Sequence, residues 1–255
     1  HLLNGAATRT ICPQVNSLVK KPIKSPTKIP AVRVASPMAE GVDPLTVFEQ
    51  LQRYYGPQQW WPAESPFEVM VGAILPQNTT WSGGEKAIAN LRSADALSLQ
   101  AILALSQSQL GELIRPSGYF NLKSKRLQNF CRWYQQHQSS AWEMETRALR
   151  VALLEINGVG PETADDILLY AFERPVFVVD SYTRRIFERL GWLQGGESYD
   201  QVQERVESCF TIEESVEQVR IFNELHGMIV SHAKQHCRKK PLCEGCPLVG
   251  CSAHI

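Results

Sequence analysis

The chain has 255 residues and 28.7 kDa, with 26 Lys and Arg balanced by 26 Asp and Glu, and it is 44% hydrophobic and 20% charged. That is enough length for one large domain or two modest ones, and the composition excludes a wholly disordered chain, a collagen-like fibre and a membrane bundle, since no run approaches the roughly 18 apolar residues of a transmembrane helix. The zero net charge argues against a nucleic-acid partner only as an average: residues 1–37 hold six basic residues (Arg9, Lys20, Lys21, Lys24, Lys28, Arg33) and no acid, which leaves the remainder at −6.

Residues 1–41 are rich in Pro, Ser, Thr and Lys without periodicity, and are expected to form a disordered basic extension or tag outside the fold. A basic targeting peptide is the alternative, although the stretch lacks the apolar centre of a secretory signal. Asp43 and Pro44 then supply an N-cap and first-turn pair, with Val47, Phe48, Leu51 and Tyr55 at helical spacing. Ser65-Pro66-Phe67-Glu68 reads as a capping box that opens a helix running to about Leu75. Helical patterns continue at 87–91, 97–105, 108–114, 123–137, 147–155, 162–172, 181–190, 199–208 and 216–232. Val176-Phe177-Val178-Val179 is the one β-like run, and an all-α fold follows.

Between two of these helices, Gly158-Val159-Gly160-Pro161 reads as a tight hairpin. Gly158 and Gly160 permit positive φ and expose backbone N–H groups, and Pro161 begins the next helix. Amides and a positive helix terminus aimed outward make an anion site that needs no basic side chain. An ordinary αα turn with a glycine cap is equally open from these residues alone. Farther on, Asp180 follows an apolar run at the start of the helix Ser181-Tyr182-Thr183-Arg184-Arg185, where a plain N-cap and a functional carboxylate are compatible readings.

Seven cysteines occur, and Cys237, Cys243, Cys246 and Cys251 fall within 15 residues. The odd count and the clustering argue against a disulfide framework and for a metal site in a reducing compartment. The single Cys-x2-Cys knuckle is unlike structural zinc, which usually shows two, and suits an iron–sulfur cluster. Cys12, Cys131 and Cys209 read as ordinary free cysteines, the last two buried.

The hairpin followed by Asp180 resembles the helix-hairpin-helix DNA glycosylases of the endonuclease III superfamily, and the resemblance spans about 43–236. It implies a two-lobed all-α protein: residues 64–179 as a central lobe, and 42–63 with 180–255 as a second lobe ending in the cysteine loop. DNA is expected in the cleft between them, contacted by Gly158, Val159 and Gly160 and by Lys123, Lys125 and Arg126, with Asp180 as the catalytic carboxylate. Bifunctional members carry a lysine two residues after the second hairpin glycine, where this chain has Glu162, so a monofunctional enzyme that uses water is implied. Gln77 matches the glutamine that fills the gap left by the extruded nucleotide, and Tyr119, with Phe120 next, falls in the intercalating loop; core packing is the plainer alternative for those two aromatics.

Trp60-Trp61-Pro62, Phe67-Glu68-Val69, Gln77-Asn78-Thr79, Arg115-Pro116-Ser117-Gly118 and His226-Gly227 are similar to the bacterial 3-methyladenine glycosylases of the superfamily. On that resemblance Trp60 or Trp61 and Trp81 sandwich a cationic base, with Lys234 at the pocket floor. The four cysteines resemble the [4Fe–4S] loop of the superfamily, one residue short in each outer gap, and they favour the endonuclease III branch, whose members act on oxidised pyrimidines. The partner implied is double-stranded DNA with a damaged base, bound by a monomer without membrane association, in a cytoplasmic, nucleoid-associated setting of bacterial type. A non-catalytic lesion-binding protein is the remaining alternative.

Overall fold

The structure is a computed structural model that describes residues 41–58, 63–77, 79 and 81–251. Apart from Gly41, the expected basic extension lies outside them. The described helices are α1 (Pro44–Tyr55), α2 (Pro66–Ile74), α3 (Trp81–Ser93), α4 (Leu99–Ala104), α5 (Gln107–Leu113), α6 (Phe120–His137), α7 (Thr146–Leu154), α8 (Pro161–Asp166), α9 (Ser181–Arg189), α10 (Tyr199–Ser208) and α11 (Ser215–Gln235). A π-helical turn, Ile167–Ala171, extends α8. No β-strand occurs among the described residues.

Side-chain caps open these helices where the sequence places short polar residues. Asp43 Oδ1 accepts from Thr46 N at 2.9 Å before Pro44, and α1 stops at Gly56, whose φ is +67°. Ser65 caps α2, but the box is not closed: Glu68 is buried, accepts from Glu64 N and pairs with Arg92 at 2.6 Å instead of returning to Ser65. From Glu68 to Ile74 every residue of α2 is buried, the pattern of a helix enclosed on all sides. It delivers Gln77 to the hairpin.

The Val176–Val179 run is extended and buried without joining a sheet. Its backbone is satisfied by α10 side chains: Glu207 Oε1 accepts from Phe177 N, Gln203 Nε2 donates to Phe177 O, and Tyr199 Oη accepts from Val179 N. A buried backbone group must find a partner, and here the partners come from side chains rather than a second strand. Behind the hairpin, Asp165 is fully buried between the Arg150 guanidinium, at 2.7 and 3.0 Å, and Gln203.

Helix α11 packs against α1, α9 and the π turn. The described residues fall in one compact unit. No described helix is long and apolar enough to cross a membrane.

Candidate active site

Asp180 is the N-cap of α9, with φ −95° and ψ 179°, and its Oδ1 accepts from Thr183 N at 2.7 Å. Its side chain is 12% exposed, and Oδ2 stands 3.7 Å from Nε2 of buried His226. Burial pushes its pKa up, and the contacts with His226 and Thr183 more than offset this, leaving the carboxyl below its ordinary value. Asp180 is therefore an anion at neutral pH, held by a helix terminus and facing a polar recess.

The second hairpin helix lines that recess. Glu162, Asp166 and Tyr170 recur at four-residue spacing through α8 and the π turn. Glu162 is exposed at the rim, and desolvation together with the Asp180 charge raises its pKa against the opposing effect of His226. Asp166 Oδ1 is buried without a hydrogen-bond partner, and burial, then the charges of Glu162, Asp180 and Asp165, push this carboxyl well above its usual value. Tyr170 Oη lies 2.5 Å from His226 Nδ1. Lys234 on α11 lies 5.6 Å from the centroid of the Trp81 ring. Burial lowers the Lys234 pKa, and Glu85 and Asp180 act in the opposite sense.

Gln77 is tied to the hairpin. Its Nε2 donates to Gly158 O at 3.1 Å and Thr163 Oγ1 at 2.8 Å, while Oε1 accepts from Arg126 NH1 at 2.7 Å. As a gap filler it must first release these bonds. Tyr119 is 70% exposed on the left-handed backbone that starts α6, with φ +46°. Phe120 is half-buried, with the Arg115 guanidinium 4.4 Å over its ring, so it anchors the loop.

Residues 71–211 match the model of the HhH-GPD superfamily base excision DNA repair proteins. The chain belongs to this superfamily. A Methanocaldococcus jannaschii protein named as a candidate DNA repair glycosylase is 46% identical over 207 residues, which cover 79% of this chain and 92% of that protein. The H. pylori 3-methyladenine DNA glycosylase, solved with 1,N6-ethenoadenine bound, aligns with a TM-score of 0.66 at 30% identity over 76% of this chain and 98% of that one. Endonuclease III in a non-covalent DNA complex aligns with a TM-score of 0.68 at 20% identity over 82% and 94%, a likeness of fold. This HhH-GPD protein is a base-excision DNA glycosylase of the endonuclease III superfamily.

Several expectations for the DNA-facing residues are corrected. Lys123 is buried, and its Nζ donates to Leu75 O and Ser117 O, so it ties the turn before α6 to the end of α2 and is unavailable to a phosphate. Its pKa is pushed down to about 8, first by burial and then by Arg126. Lys125 is exposed, whereas Arg126 is half-buried and occupied by Gln77. Val159 is buried and its N–H donates to Ile156 O at 2.9 Å, which removes it from the anion nest. Only Gly158 of the hairpin pair has positive φ, +104°, and an added Cβ there would come within 2.2 Å of Arg126 Cγ. Gly160 has φ −97° and open space where a Cβ would sit, which suits close approach by another molecule.

Trp60 and Trp61 lie outside the described residues, as does Asn78. Sequence reasoning overlooked Asp166, Tyr170 and His226 as members of the recess. The signal for Asp166 and Tyr170 was their four-residue spacing from Glu162; His226 lies on α11 and carried no local signal.

Cys237, Cys243, Cys246 and Cys251 line one recess with Ile186, Leu190 and Leu248, and none forms a disulfide. Arg189 NH1 donates to Cys237 Sγ at 3.1 Å, and His232 Nε2 lies 3.7 Å from Cys246 Sγ. No three described His, Cys, Asp or Glu side chains are grouped closely enough to share one metal ion. Thiolates on a single zinc converge within about 2.3 Å of it, whereas a four-iron cluster is a larger body held at its corners. Four sulfurs around one apolar-walled recess, with the Arg189 guanidinium donating to one of them, fit the cluster better than the ion. Of the other cysteines Cys131 is buried, and Cys209 is half-buried rather than buried as expected.

Proposed function

We propose that this glycosylase removes alkylated purines of the 3-methyladenine type from double-stranded DNA and leaves the strand intact. The observation that carries the reading is the anionic Asp180 carboxylate, within the field of Glu162 and of Lys234, whose Nζ stands 5.6 Å from the centroid of the Trp81 ring. An N-alkylated purine is cationic, so an anionic carboxylate and an indole face favour it over a neutral base. Trp60 or Trp61 supplies the second stacking face in this reading.

The same charge serves the chemistry. As the C1′–N bond breaks, the electron pair leaves with the base, which departs neutral, and positive charge grows on the sugar. The Asp180 carboxylate stabilises that charge and accepts the proton of the water whose oxygen forms the new C1′–O bond. Tyr119 fills the space of the flipped nucleotide, and the Gly160 terminus of α8 with Lys125 holds the backbone. Cys237, Cys243, Cys246 and Cys251 would supply the thiolates that hold a [4Fe–4S] cluster, and the bound cluster would fasten the C-terminal loop; base hydrolysis requires no electron from it.

A second reading, a glycosylase with lyase activity on oxidised pyrimidines, has one specific observation in its favour. Lys234 is an amine with lowered pKa within the field of Asp180, and such an amine can attack a sugar aldehyde. Free bases released from a duplex pool carrying alkylated, oxidised and deaminated lesions are to be identified by mass spectrometry, with borohydride present in a parallel reaction. Methylated purines with intact strands and no trapped adduct are expected; oxidised pyrimidines with a trapped adduct would establish the second reading.

A further inference from the structure

The hydrolysis just described makes no use of His226, although this imidazole is buried beside the reacting carboxylate. We propose that His226 is a positioning residue that fixes the orientation of Asp180, and that Tyr170 in turn fixes His226. The inference rests on Asp180 acting as proposed above.

Asp180 has two oxygens, and the helix cap holds only one. Oδ1 is taken by Thr183 N, and Oδ2 faces His226 Nε2 at 3.7 Å, a separation longer than a direct hydrogen bond. Nε2 has no other hydrogen-bond partner among the described residues. At the far side of the ring, Nδ1 is taken by Tyr170 Oη at 2.5 Å. Burial and the neighbouring carboxylates Asp166, Asp180 and Glu224 keep the Tyr170 hydroxyl protonated, so it is available to donate to Nδ1. That leaves the ring proton on Nε2, aimed at Asp180. The opposite tautomer would set a nitrogen lone pair against a carboxylate oxygen, which electrostatics disfavours. The ring is held against rotation by Phe177, which meets it edge-on at 6.4 Å and 85°.

The backbone is built to make this contact. Helix α8 passes into the π turn at Ile167, where Phe172 N bonds to Ile167 O. The extra residue in that turn changes the direction of Tyr170 relative to a continuous α-helix, and such turns recur at functional sites.

The groups facing the pair and its Tyr170 partner are Glu162 and Asp166 from α8, Thr183 from α9, and Glu224 and Lys234 from α11. Burial raises the Asp180 pKa, and His226 is the largest influence lowering it. Without the imidazole, burial is less opposed and the carboxylate protonates at higher pH.

The test is single-turnover base release from a methylated duplex, across pH, for His226→Ala, His226→Gln and Tyr170→Phe. His226→Ala should slow release by about 10- to 100-fold, the cost of a misplaced catalytic group, with the Kd for the same duplex unchanged and the Tm lowered by the loss of a buried, hydrogen-bonded ring. The acid limb of its rate profile should move to higher pH. His226→Gln, which keeps an N–H donor of similar reach, should recover most of the rate, and Tyr170→Phe should move the limb in the same direction by less. Parent rate and parent acid limb in His226→Ala would overturn the proposal, as would a rate loss matched by an equal loss in binding. If His226→Ala fails to fold, an unshifted limb in Tyr170→Phe overturns it. A parallel Asp180→Asn variant separates the two levels: if that variant keeps turning over, the hydrolytic reading fails; if it is dead while His226→Ala and Tyr170→Phe behave as parent, only the positioning role fails.

Discussion

Replacing Asp180 by Asn changes a charge and very little shape. Asn caps a helix about as well as Asp, so Thr183 N keeps its acceptor, and α9 loses roughly 0.3–1 kcal/mol of charge–dipole interaction. At about 2–4 °C per kcal/mol for a chain of this size, the Tm should fall by no more than a few degrees. Catalysis should respond far more. A sugar cation about 4 Å from the carboxylate gains about 4 kcal/mol at an effective dielectric near 20. At about 1.36 kcal/mol for each factor of ten, that is roughly a thousandfold in rate. Lost deprotonation of the attacking water adds about a further 10²-fold or more. Single-turnover release of methylated purine, with duplex affinity measured by fluorescence anisotropy, reads both quantities. Affinity close to parent with a rate at least a thousandfold lower is expected; a rate within tenfold of parent would refute the assignment of Asp180.

Other consequences are as direct. Lys123 titrates near 8 in the fold against about 10.4 unfolded, so the unfolded chain binds more protons between those values and stability should rise with pH across that window. Denaturant melts of Lys123→Met should lack that rise, and an equal slope in parent and variant would contradict the burial described. Gly158→Ala forces a left-handed φ on alanine and a clash with Arg126, and should lower stability by about 1–3 kcal/mol as well as duplex affinity. Cys246→Ser should give protein with less bound iron, weaker visible absorption and a lower Tm; a colourless parent with stoichiometric zinc would reverse the cluster reading. Tyr119→Ala should weaken base flipping, seen as slower 2-aminopurine fluorescence rise, while leaving Tm within about 1 kcal/mol equivalent because the side chain is exposed.

The sequence by itself determined the helices, the hairpin, the carboxylate that opens α9 and the cysteine loop, because each is a local pattern. A cap, a glycine pair or a Cys-x2-Cys spacing is written in a few adjacent residues, and Asp180 is where an N-cap reading and a functional reading coincide. Exposure and partnership are not local, and the tertiary structure decided them. Lys123 looks like any lysine in a basic run until the fold turns it toward Leu75 O and Ser117 O, 48 and 6 residues away. Gln77 and Arg126 read as separate DNA contacts, and packing joins them through one hydrogen bond across 49 residues. The apolar run before Asp180 carries strand-forming residues, yet α10 side chains meet its backbone first, so no strand forms among the described residues. Tyr170 and His226 lie 56 residues apart, and only the π turn and the packing of α11 bring them to the same carboxylate. Local propensity chooses elements; the burial of polar groups, each of which must find a partner wherever the chain crosses itself, chooses the site.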